Sequence, residues 1–163
     1  MKMLPADVDD EGLLRAVGEW VQLLAEDRYQ DAYDFLYHLW MPVLPNNELS
    51  ADDIRDILAD YIRDSAANSG WGEPHLIKVT PVEMMLPGDD PSHQEVTRYE
   101  VPQERAWDAI LVRFGGVPSG ASSVGDIHYD IPLNSTWSDL TAIFNVVLYE
   151  EAIVLALESM HVL

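Results

Sequence analysis

The sequence predicts an α+β fold in which three N-terminal helices pack on a curved, mostly antiparallel sheet. Two patterns predict it. Apolar residues recur at the helical period through the first 70 positions, and after Gly70 the period falls from 3.6 to 2. Composition agrees: 48 % of the 163 residues are apolar and 23 % charged, enough for one domain, 1–163, to bury a core without staples. No internal repeat or long linker divides the chain.

The first helix is expected over residues 9–25. Leu13, Val17, Val21 and Leu24, joined by Leu14 and Trp20, form its apolar stripe, and Asp9, Asp10 and Glu11 place acid at the positive end of its dipole. A second helix follows over 28–40, with an aromatic stripe from Tyr29 to Trp40 that Pro42 and Pro45 end; 41–44 reads as a short edge strand. The third helix starts at Ser50, an N-cap with Asp53 three residues on and a Leu49–Ile54 staple. It stops at Asn68-Ser69-Gly70.

Strands are then expected over 75–86, 94–101, 106–114 and 127–131, with Gly115 to Gly125 as a Gly/Ser/Pro-rich connector. A closing hairpin, 137–149 and 153–162, turns at Glu150-Glu151-Ala152.

The formal charge is −20, from 29 acids against nine bases. Such a field repels phosphate backbones and anionic lipid, so nucleic-acid and membrane-surface partners are not expected. Two readings of it stay open: a solvated acidic surface, useful in a saline cytoplasm, or a face complementary to a basic protein partner. The chain has no cysteine, which excludes disulfides, thiolate metal sites and a cysteine nucleophile and fits a reducing compartment. The opening residues turn acidic before any apolar run, unlike a signal peptide, and no apolar run reaches the roughly 20 residues of a membrane span. A cytoplasmic location is expected.

The run Leu23-Leu24-Ala25-Glu26-Asp27-Arg28-Tyr29-Gln30-Asp31-Ala32-Tyr33-Asp34-Phe35-Leu36 resembles the opening of nuclear transport factor 2-like proteins, also called SnoaL-like or cystatin-like. In these an amphipathic helix breaks at an acidic, aromatic turn. The order of elements is also similar. The resemblance implies a cystatin-like roll with a pocket between sheet and helices, and frequent dimerisation through the sheet, so a homodimer is expected with it. It spans isomerases, dehydratases, adaptors and binding modules, and it carries no motif that transfers a catalytic residue.

Asp126-Ile127-His128-Tyr129-Asp130 is the most suggestive local pattern. On a strand Asp126, His128 and Asp130 share one face, where two carboxylates can orient a histidine as a base or help hold a divalent metal. The plainer reading is an apolar side packed inward and a polar side in water; same-face residues of one strand lie too far apart to complete a metal shell. Trp71, between Gly70 and Gly72, closes a pocket, anchors a partner or folds back on the core. His75 is a further candidate for a pocket lining. His38 pairs with Asp34 one turn back on a wet face. The Gly115–Ser123 stretch lacks the lysine and following helix of a phosphate cradle. No metal or cofactor is expected.

Function is therefore expected to be that of a bacterial-type immunity- or adaptor-like binding module with an acidic surface. The alternative is a small-molecule binder, or a lyase or isomerase, holding a small apolar ligand between sheet and helices.

Overall fold

The computed structural model describes residues 1–37, 51–103 and 121–162, with residues 51–55 and 57 described by their backbone alone. The expected helix end at 38–40 with His38, the edge strand 41–44, the Ser50 cap with the Asp53 and Ile54 side chains, the strand 106–114 and the connector 115–120 lie outside that description.

Helix α1 (Asp10–Ala25) begins where the Asp9 carboxylate accepts the Gly12 N–H at 2.8 Å. Its buried stripe is Leu13, Ala16, Val17, Trp20, Val21 and Leu24. It ends in a Schellman turn: Asp27 N–H donates to Leu24 O and Arg28 N–H to Leu23 O, with Asp27 left-handed at φ 56°. Helix α3 (Ala51–Asn68) ends the same way, through Gly70 N–H to Ala67 O and Trp71 N–H to Ala66 O, but with Gly70 at φ 90°. The acidic break before α2 is thus a cap in which aspartate takes the position glycine fills after α3.

Helix α2 (Tyr29–Phe35) is shorter than the aromatic stripe predicts. Leu36 turns extended at ψ 156° and is buried, and Tyr37 N–H donates to Leu155 O at 2.8 Å. Tertiary pairing to the sheet therefore ends the helix while the apolar pattern continues. The Trp20 indole N–H donates to Ala32 O at 3.1 Å, locking α1 to α2.

The sheet has the order β1-β5-β4-β3-β2, every described pair antiparallel: β1 (Leu4–Pro5), β2 (Gln94–Gln103), β3 (Ala121–Leu133), β4 (Thr136–Tyr149) and β5 (Ala152–Val162). It is curled, with the helices on one face. Register shifts lie between Ser123 and Gly125, between Asp130 and Pro132, and between Ile143 and Phe144, and such bulges sharpen local twist. β3 and β4 meet at Asn134-Ser135, both left-handed, and β4 and β5 at Glu150-Glu151 as the pattern predicts.

Two strand expectations are corrected. The stretch 75–86 forms two single 3-10 turns, Pro74–Leu76 and Val82–Met84, with one isolated bridge, Val79 to Leu133. Pro74 and Pro81 withhold the donors a ladder needs. Conversely, residues 121–125 are strand, not loop. A Cβ at Gly125 would stand 2.3 Å from Thr97 O, so glycine here admits the neighbouring backbone.

The core joins α1, α2 and α3 to the inner face of the sheet. Trp20, Phe144, Leu13, Leu58, Ile127 and Leu140 are fully buried, and Trp20 meets Phe144 edge-on at 5.3 Å. Val147, Val154 and Ala156 form a second, smaller cluster on the outer face. Among the described residues no helix is long and apolar enough to cross a membrane.

Candidate functional site

Strand alternation sends Ile127, Tyr129 and Ile131 into the core and Asp126, His128 and Asp130 to the outer face. Register then fixes their neighbours. Asp130 N–H donates to His93 O, so His93 stands opposite Asp130, while Glu95 pairs with His128 and Thr97 with Asp126. On the other side Asp130 pairs with Thr141, and Thr141 with His161. Two imidazoles and two carboxylates therefore alternate across β2 and β3, His93 facing Asp130 and Glu95 facing His128.

Asp130 is fully buried. Thr141 Oγ1–H donates to its Oδ1 at 2.6 Å, and His93 backbone N–H donates to Oδ2 at 2.7 Å. The His93 ring brings Nδ1 to 3.4 Å from Oδ1; that nitrogen is shielded from solvent but not aligned for a hydrogen bond. A buried carboxylate with fewer donors would carry a heavy desolvation cost, so these contacts are what make the position tenable.

His128 is half-buried and its Nδ1 lies 3.9 Å from the exposed Glu95 carboxylate. The histidine against a buried acid is thus His93, not the one between the two aspartates in sequence. Asp126 accepts a hydrogen bond from the Tyr99 hydroxyl, and beside it Asn145 donates to Glu158, the extra residue of the β5 bulge, at 2.7 Å. Behind the row, burial pushes the Tyr129 phenol up to about 12.

Trp71 is half-buried against the core, and its indole N–H donates to Asp139 Oδ1 at 2.7 Å. His75 is exposed on the first 3-10 turn. Asp126, His128 and Asp130 share the outer face of β3 but each contacts a different neighbour, Tyr99, Glu95 and the His93–Thr141 pair; the contacts of Trp71 run to Asp139. Sequence reasoning missed His93, Glu95, Tyr99 and Thr141. The alternation of polar residues at 93, 95 and 97 marks one wet face of β2, but only register says which residues of β3 it meets. Among the described residues, no three histidine or acidic side chains converge on a metal-sized point.

The second distinctive surface is helical. Glu19, Glu26, Asp31, Asp34, Asp60 and Asp64 are exposed on α1 to α3 and the turn between α1 and α2. Basic residues nearby already serve acids: Lys2 with Glu19, Arg15 with Glu11 at 3.1 Å, and Arg28 with Asp31 at 2.7 Å and Glu26 at 3.2 Å. The Gln22 amide and Arg28 hold the Glu26 carboxyl below its ordinary range.

Comparison with protein-family models, curated proteins and solved structures yields no match to this chain.

Proposed function

We propose that this chain is a binding module of the immunity or adaptor kind, presenting its acidic helical surface to a basic protein partner. The observation that carries this reading is the exposure of acids along α1, α2 and α3 beyond the few bases available to neutralise them. An excess field of this kind steers a cationic partner and rejects polyanions. The apolar filling between helices and sheet, built on Trp20, Phe144 and Leu140, supports a surface partner over a ligand held between the layers. In the same reading the fold is a nuclear transport factor 2-like roll, supported by the α1–α2 break at Asp27 and the helices-first order before a curled sheet.

The test is capture of protein partners by the tagged full chain, followed by a salt titration. The reading expects a stoichiometric complex that weakens steeply as the screening length shrinks from about 10 Å at 0.1 M salt to about 3 Å at 1 M. Charge reversal at Asp60 and Asp64 should weaken it further. Failure to recover any partner at low salt, or a complex indifferent to both salt and charge reversal, overturns the reading.

A further inference from the structure

We propose that His93 is the proton-accepting residue of a second site on the outer face of the sheet, with Asp130 and Thr141 as its positioning residues. Asp130 has no exposed surface, one oxygen bonded to Thr141 at 2.6 Å and the other to His93 N–H at 2.7 Å. Its own N–H returns to His93 O at 2.9 Å, so the backbone of residue 93 and both ends of Asp130 form a closed clamp.

That clamp presents Oδ1 to the Nδ1 edge of the ring at 3.4 Å. A carboxylate there favours the tautomer with its proton on Nδ1, which leaves Nε2 as the basic nitrogen. Nδ1 is shielded while 32 % of the side chain is exposed, so the exposure belongs to the rest of the ring. Pairs of this kind are often loose before a ligand binds and tighten with it. Among the described residues, neither of the other two histidines of this face has such backing: the His128 ring faces a largely exposed Glu95 at 3.9 Å, and His161 is exposed at the far side of Thr141.

Among the described residues, Asp130 against the ring and Glu95, the next residue on the same face of β2, place negative charge beside it, which disfavours an anion. The ligand class is therefore an uncharged hydroxyl compound, water included. In the step, the ligand O–H proton passes to Nε2 and its electron pair stays on the ligand oxygen, which becomes nucleophilic. The imidazolium so formed keeps its proton on Nδ1, 3.4 Å from Asp130 Oδ1, and the charge of that carboxylate stabilises it. That oxygen attacks an ester carbonyl carbon to form the new C–O bond, the bond to the leaving oxygen breaks, and the proton held on Nε2 passes to that leaving oxygen, which restores the site.

The test uses the full chain with two probes. Carbethoxylation by diethyl pyrocarbonate, read for each histidine by mass spectrometry, reports a basic ring nitrogen; hydrolysis of p-nitrophenyl acetate reports activation of water. His93 should react about fivefold faster than the more exposed His75, and His93→Gln should remove most of the hydrolysis above background. Thr141→Val and Asp130→Asn should slow His93 about threefold or more and leave His75 unchanged. Where Asp130→Asn does not fold, Thr141→Val carries the comparison. Nitrogen-15 NMR should find the proton of neutral His93 on Nδ1. A proton on Nε2, or a His93 rate at or below that of His75, overturns the proposal, as does hydrolysis unchanged in His93→Gln.

Discussion

Along β3 the same backbone serves two environments. Ile127, Tyr129 and Ile131 look into the helices, where shape and volume govern. Asp126, His128 and Asp130 look outward, where Asp130 is as thoroughly buried as Ile127. The inner face tolerates any apolar neighbour that fills space, because dispersion and hydrophobic burial have no direction. The outer face depends on particular donors, since a carboxylate out of water needs aligned hydrogen bonds, and these come from residue 93 and from β4. A polar face in an alternating pattern is therefore not equivalent to a wet one.

Mutations can separate the two regimes. The largest effect belongs to the inner face: Phe144→Ala removes a fully buried ring that meets Trp20, and chemical denaturation should show a loss of about 3–5 kcal/mol. Gly125→Ala comes next. Its new methyl would press on Thr97 O, backbone that has no rotamer to yield, so a loss of about 3 kcal/mol is expected, with faster amide exchange along β2.

Tyr129 gives the inner face a pH signature. Its folded-state value, about 12, lies above the ordinary 10, so its contribution is fully present below pH 10 and is lost as pH rises through the window from 10 to 12. Denaturation midpoints should fall across that window by the equivalent of about 2 kcal/mol, and Tyr129→Phe should flatten that part of the fall. Tyr29, Tyr33 and Tyr37, also raised by burial, supply the remainder.

On the outer face Thr141→Val keeps the side-chain shape and deletes one donor to Asp130. A loss of about 1.5 kcal/mol in denaturation would match a charge-assisted bond; no loss would show that the His93 contacts suffice. The smallest effect has the opposite sign. A methyl at Gly18, mid-α1, would lie 3.5 Å from the Tyr129 hydroxyl, an ordinary contact, so Gly18→Ala should raise stability by about 0.5–1 kcal/mol through helix propensity.

Much of the architecture was legible because it is local. The α1 stripe, the stop at Gly70 and the turn at Glu150-Glu151 follow from periodicity and from residues suited to caps and turns. Two of the misreadings share one cause. The aromatic run after Phe35 and residues 121–125, the end of the Gly/Ser/Pro-rich segment, carry local signals that contacts distant in sequence override: Tyr37 pairs with Leu155, and Gly125 admits Thr97. β1 went unread because two residues carry no period; only their partners Ile153 and Ala152 make them a strand.

The candidate site divides along the same line. That Asp126, His128 and Asp130 share a face follows from the chain itself, since side chains on a strand alternate whatever lies beside it. The sequence likewise determined the helices-first order and the strongly acidic charge. That Asp130 is buried, that His93 is the imidazole against it and that Thr141 holds its other side were decided by the register of β2, β3 and β4. Register is a property of pairs of strands, and a slip of one residue would send every one of these side chains to the opposite face.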